Sequence, residues 1–246
     1  MSIELILLAA AVFLLAGTIK GLVGIGLPIA AVGILSQVID PRTAVLAAIF
    51  PIVVSNIWQV YRAGDVLPAI RRYWLFAAVL AVVLLITTYF APSVSPELLV
   101  LLLGILVVAF SVINLAFKPP MLPERFDKAG QIFFATFAGI SGGLTAIWGP
   151  PMVIYFLARR LEKDEFVRAS GLLFLVGSIP LLVGYVQNGL ITRDIAILSA
   201  VVVVPTLLGF AFGEQLRRHL DSSRFRTAVL IMFLLMGLNL LRRAIF

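Results

Sequence analysis

Gly17-Thr18-Ile19-Lys20-Gly21-Leu22-Val23-Gly24-Ile25-Gly26-Leu27-Pro28 interrupts the first apolar segment of the chain. Gly139-Ile140-Ser141-Gly142-Gly143-Leu144-Thr145-Ala146-Ile147-Trp148-Gly149-Pro150 interrupts another, 122 residues later. Among the residues that keep register between the two stretches are Gly17 with Gly139, Gly21 with Gly143, and Pro28 with Pro150. Glycine permits positive φ and close backbone approach, and proline suits a first helical turn. Paired breaks at corresponding places in two halves are the sequence pattern of a solute site between discontinuous helices.

The class follows from composition. Hydrophobic residues make up 62% of the 246 and charged residues 13%, and the charges gather in short gaps between long apolar runs. No soluble core could bury so much apolar surface, so an all-α polytopic membrane protein is expected. Met1-Ser2-Ile3-Glu4 lacks a basic n-region, so the first segment reads as retained rather than as a signal peptide. There is no cysteine, and the one histidine, His219, falls in a basic loop. Thiol chemistry, a histidine metal site and a Ser-His triad therefore lack raw material in the membrane, and neither an enzyme nor a cofactor is expected. The net charge of +7 sits at segment ends. It marks topology and lipid-headgroup contact rather than nucleic acid.

The apolar segments run roughly 3–19, 27–39, 43–61, 73–91, 98–117, 131–147, 150–158, 166–186, 195–213 and 225–241. The polar stretch 118–128 is the natural linker, leaving residues 1–117 and 129–246 as two repeats. Each would hold a Gly-rich broken or re-entrant element plus three transmembrane helices. The broken elements have two readings: an unwound helix that runs on, or a hairpin that folds back. Cytoplasmic loops collect Lys and Arg. With Lys20 set aside, running on splits the basic residues nine against nine, whereas folding back splits them fourteen against four. Folding back inverts the repeats and leaves Arg42, Arg193, Arg242, Arg243 and the C-terminus outside. A hairpin in the second half alone gives the same split, so the first hairpin rests on symmetry.

A helix starting at Leu27 or Pro150 would present free N–H groups, an environment that attracts anions. Lys20 is the sole charge placed deep between apolar stretches. Such a charge costs at least about 2.5–3.5 kcal/mol at the bilayer centre and commonly has a function. Its competing reading is a lysine that snorkels past the end of its helix. Gly17-x-x-x-Gly21 and Gly139-x-x-x-Gly143 also read as helix-packing motifs. The expected pocket lies between the breaks, lined by Lys20, Gly21, Gly24, Gly26, Gly142, Gly143 and Trp148, with Asn56 and Ser178 nearby. Ser55, Gln59 and Ser170 could join them or bond neighbouring helices. Trp58 and Trp74 fit an interfacial aromatic belt. Every Asp and Glu falls in a gap or near a segment end, so no buried carboxylate relay for proton coupling is evident. Phosphate-loop motifs are absent from the sequence.

On these residues the chain resembles the sulfite exporter TauE/SafE-type permease family over nearly its whole length. The resemblance is carried by Gly21-Leu22-Val23-Gly24-Ile25-Gly26-Leu27-Pro28, by Gly139-Ile140-Ser141-Gly142-Gly143 through Gly149-Pro150-Pro151, and by Arg168-Ala169-Ser170. Leu27, Ala146 and Trp148 depart from the family's glycine-richer breaks. The resemblance implies an inner-membrane permease for sulfite, sulfonates or other small sulfur-containing anions, working in export. Its partners would be a small anionic substrate and membrane lipids, with no nucleic acid, and a homo-oligomer is compatible with it. The alternatives are a permease for another small solute and a non-transporting membrane subunit.

Overall fold

The computed structural model describes residues 3–116, 119–217 and 222–245, with backbone only at 163–164 and 222–226. Lys118, Arg218, His219 and Phe246, to which parts of the linker, basic-loop and C-terminus expectations attach, lie outside the described residues. Twelve α-helices follow in order among those residues: α1 Ile3–Val23, α2 Leu27–Leu35, α3 Pro41–Ala47, α4 Ile49–Ala63, α5 Leu67–Thr88, α6 Pro96–Ala116, α7 Asp127–Thr145, α8 Gly149–Ala158, α9 Lys163–Gln187, α10 Arg193–Val201, α11 Val203–Leu216 and α12 Ser222–Ile245. No strand occurs among the described residues. Seven stretches are long and apolar enough to cross a membrane: α1, α3 with α4, α5, α6, most of α9, α10 with α11, and most of α12. The protein is a multi-pass membrane protein.

Several helices begin earlier than their apolar runs. α7 starts at Asp127, because its polar flank continues the helix beyond the apolar stretch, and α5 starts at Leu67 with a kink at Tyr73 (φ −110°, ψ 15°) where the apolar run begins. The run expected over 43–61 is two helices joined at Ala48, whose N–H bonds to Val45 O. That tight turn releases the Phe50 N–H, which donates to Ser199 Oγ on α10 at 3.0 Å. Asp40 opens α3 by accepting from Thr43 N at 2.8 Å, with Pro41 at the first helical position.

Backbones touch where glycines line two crossings. A Cβ on Gly17 would stand 2.2 Å from Thr206 O, and one on Gly21 2.1 Å from Phe210 O. From the opposite side, Gly209 and Gly213 meet Leu14 O and Thr18 O equally closely, at 2.0 and 2.2 Å. Both α1 and α11 thus present a glycine every fourth residue, and only hydrogen fits between them. Gly139 and Gly143 make the matching approach to Val83 and to Leu84 O on α5.

Helix directions follow from which residues meet. Leu14 faces Gly209 and Thr18 faces Gly213, so α1 and α11 are parallel. Phe76 N donates to Gln131 Oε1, and Gly143 abuts Thr87, so α5 and α7 are parallel. Asn56 reaches Phe174 O at 3.1 Å and Gln59 reaches Ser170 Oγ at 3.5 Å, so α4 and α9 are antiparallel. α8 folds back along α7. Tyr155 OH donates to Asp127 at 2.8 Å, and Arg159, just past the end of α8, pairs with the same carboxylate at 2.9 Å. At the first break, Lys20 is level with Ser55 and Asn56, and Gly24 with Gln59, so α4 runs with α1. Pro41 lies about 21 Å of helix before Ser55. α2 and the turn after it therefore carry the chain back toward the start of α1.

Candidate functional site

The break between α1 and α2 is made by two glycines in left-handed conformations, Gly24 at φ 85° and Gly26 at φ 101°. A side chain at either position would be strained, which is why the turn needs glycine. Gly26 stands at the N-cap of α2 and supplies no side-chain cap, and Pro28 occupies the second helical position without an N–H. The Leu27 and Ile29 N–H groups begin the helix with no carbonyl a turn earlier to bond. The second break is built differently. Ala146 takes the left-handed position at φ 58°, Trp148 is the N-cap of α8, and two consecutive prolines, Pro150 and Pro151, follow Gly149. Two of the first three helical positions of α8 therefore lack a donor, and the α2 terminus is the richer of the two in free N–H groups.

Lys20 reaches that richer terminus. It lies in the last turn of α1, 3% exposed, and is the sole buried charged residue among the described residues. Its ammonium donates to Ser55 Oγ at 2.9 Å and to Asn56 Oδ1, both on α4. Two aromatic rings flank it, Phe174 at 6.0 Å and Phe210 at 5.8 Å from their centroids, close enough for cation–π attraction. The partners are neutral. No carboxylate pairs with Lys20 among the described residues, and the nearest acid on α11, Glu214, pairs with Arg62 at 3.6 Å. Snorkelling does not describe this side chain, whose ammonium is held inside the bundle.

Lys20, Ile25, Gly26, Leu27, Pro28, Ile52, Asn56 and Phe174 enclose a cavity of ≈ 10 Å³, room for about one water. A buried cation and an uncapped helix N-terminus therefore line one small space together with the apolar side chains of Ile25, Ile52 and Phe174. What fits that chemistry is an anion. The cavity is too small for a sulfur oxyanion in this state, so entry of one requires the walls to part.

Of the residues expected to line the pocket, Lys20, Gly26 and Asn56 do so. Gly24 sits one turn of chain away, its carbonyl accepting from Gln59 Nε2 at 3.2 Å. Gly21 lies in the contact with α11 and Gly143 in the contact with α5, so the helix-packing reading describes those two. Gly142 makes room for Trp148, whose ring packs at 5.8 Å against Phe174, one of the residues lining the cavity. Ser178 turns its hydroxyl to Leu175 O at 2.7 Å in its own helix. Sequence reasoning missed Phe174, Phe210 and Ile52. They belong to unbroken apolar runs, and nothing in such a run marks one phenylalanine or isoleucine as facing a charge. Gln59 and Trp148 each bury a polar atom without a partner, Oε1 and Nε1 respectively.

Comparison with known proteins gives one family: the model described as Sulfite exporter TauE/SafE matches residues 9–240. The chain is also similar to a protein of Cupriavidus necator described as a probable sulfite/organosulfonate exporter TauE, with 29% identity over 132 residues. That alignment covers 52% of this chain and 51% of the relative, so the chain spans about half the length of the relative it matches. No solved structure matches.

Proposed function

The chain belongs to the sulfite exporter TauE/SafE family, and from that premise we propose that it is an inner-membrane permease exporting small sulfur-containing anions. The observation that carries this reading is Lys20, a buried cation without a carboxylate partner among the described residues, facing an uncapped helix start. A charge left uncompensated in a low-dielectric interior is costly, and an arriving anion supplies the missing partner.

The proposed architecture is two inverted repeats, 1–117 and 129–246, joined by 118–128. Three things support it. α4 and α9, which hold corresponding places in the two halves, run antiparallel, α8 folds back on α7, and glycine crossings recur at α1 with α11 and at α7 with α5. With both broken elements as hairpins, six crossings remain, and the fourteen-to-four division of basic residues puts the 62–72, 118–128, 159–168 and 217–226 stretches inside. Substrate then meets Lys20 and the α2 terminus between α1, α4 and α9, near mid-membrane. Asn56 joins those elements: its oxygen receives Lys20 and its amide donates to Phe174 O across the α4–α9 contact. Parting of that contact is the movement that would open the cavity.

No step of covalent chemistry is assigned to the chain. The test is outward flux of labelled sulfite from liposomes containing the purified protein, against protein-free liposomes. Flux that equals the protein-free control would refute the permease reading and favour a non-transporting subunit. Flux of an uncharged or cationic solute in preference to sulfite would favour a permease of another kind.

A further inference from the structure

We propose that the indole N–H of Trp148, at the second break, is a second anion contact, which takes an oxygen of the anion that Lys20 receives at the first. This rests on the permease reading above and adds a transfer step within it.

The starting point is a donor without a partner. Trp148 is 1% exposed, and its Nε1 has no hydrogen-bond partner. A buried donor left unpaired is costly and rare, and a partner that comes and goes accounts for it. An indole N–H only donates, so that partner is an acceptor and not a cation. The slot around the ring is lined by two glycines from different helices. A Cβ on Gly177 of α9 would stand 2.9 Å from Trp148 Nε1, and one on Gly142 of α7 would stand 2.9 Å from the Trp148 Cβ. A phenylalanine would pack in this slot without burying a donor.

Phe174 links this place to the first break. Its ring centroid lies 6.0 Å from the Lys20 ammonium and 5.8 Å from the Trp148 ring. A Cβ on Gly149, the first residue of α8, would stand 3.5 Å from Phe174 Cζ. One side chain thus touches the buried cation, the orphaned indole and the start of α8. Phe174 and Gly177 are three residues apart on α9, so the ring and the N–H slot share one face of that helix. Displacement of that ring is the step that brings an anion at Lys20 against the indole.

The second break has reason to use a side-chain donor. Pro150 and Pro151 withdraw two backbone N–H groups from the start of α8, where α2 loses one at Pro28. The indole restores a donor there. It carries no charge, so it holds an anion less tightly than the ammonium does, which suits a station that must release what it receives.

The experiment uses the full chain. Trp148 is one of three tryptophans, and the other two, Trp58 and Trp74, are exposed. With Trp58→Phe and Trp74→Phe, Trp148 alone emits. Sulfite added at constant ionic strength should shift that emission to the red in a saturable way, as hydrogen bonding to the indole N–H does. In the otherwise wild-type chain, Trp148→Phe should lower labelled-sulfite flux in liposomes at least about tenfold, the effect of losing a hydrogen bond to a charged group. Its melting temperature should move little, because the lost ring volume and the lost buried donor offset each other. Full flux in Trp148→Phe would overturn the inference. Reduced flux beside an emission that sulfite leaves unchanged would also overturn it, since the ring would then only fill space. Both results leave the permease reading standing. Absence of sulfite flux in the wild type would overturn that reading, and this inference with it.

Discussion

Replacing Lys20 by methionine should cost transport and leave the fold nearly untouched, an outcome that separates a functional charge from a structural one. Methionine keeps the length of the stem and its packing, and removes the ammonium. Folding loses the ammonium's hydrogen bonds to Ser55 and Asn56 and its attraction to the Phe174 and Phe210 rings. Ser55 Oγ still donates to Ile52 O at 3.2 Å, but Asn56 Oδ1 is left without its donor. An orphaned buried acceptor costs about 1–3 kcal/mol. Against that, the variant no longer holds a charge in the membrane interior, whose cost is at least about 2.5–3.5 kcal/mol at full depth. The two terms nearly cancel. With a shift of about 2–4 °C per kcal/mol for a chain of this size, the melting temperature in detergent should move by no more than a few degrees. The transport term does not cancel. An anion entering the same space without Lys20 is a buried charge without a partner, a loss of about 3–5 kcal/mol, so sulfite flux should fall by about two to four orders of magnitude. The assays are thermal unfolding of the purified variant and labelled-sulfite flux in liposomes. Unchanged flux would refute the assignment of Lys20 to the anion. A large drop in melting temperature would show that Lys20 holds α1 to α4 rather than serving a ligand.

Glycine substitutions should separate by what their new methyl meets. Gly21→Ala, driven 2.1 Å onto the Phe210 carbonyl of α11, should destabilise by about 3 kcal/mol or more and lower the yield of folded protein, whereas Gly24→Ala, with open space around its Cβ but φ at 85°, should cost about 1–2 kcal/mol in thermal unfolding. Because the chain has no cysteine, single cysteines report sidedness directly: Asp65→Cys should react with an impermeant thiol reagent only from the cytoplasmic side, and Ser93→Cys only from outside. The reverse pattern would overturn the orientation. Export should run on membrane potential alone, which favours outward movement of a monoanion by about 2.3 kcal/mol, or about fiftyfold, per 100 mV negative inside. Liposomes with an imposed potential and no pH or sodium gradient test this, and flux that needs such a gradient would show a coupling ion instead.

The class of this protein, its helices and the two breaks were legible in the sequence because each has a local cause. Long apolar runs form helices that satisfy their own backbone groups, and the glycine–proline stretches at 17–28 and 139–150 stop them. Lys20 announced itself for the same reason, as a charge with no other charged residue between Glu4 and Asp40. Its surroundings did so only in part. Asn56, 36 residues away, stood out as a polar residue in an apolar run, but Phe174, 154 residues away, lies in a run whose pattern says only that it is buried. The glycines show the division plainly: the sequence offers Gly21, Gly24, Gly26 and Gly143 on equal terms. Only helix crossings sort Gly21 and Gly143 into backbone contacts, and leave Gly26 at the mouth of a cavity. Likewise Pro51 marks a joint within the run 43–61, because it has no N–H for the Ala47 carbonyl, but only the packed structure brings Ser199 of α10 to the released Phe50 N–H. Local propensity decides where a segment is helical or broken. Which faces meet, and so which charge finds which helix end, is decided by close packing between segments far apart in the chain.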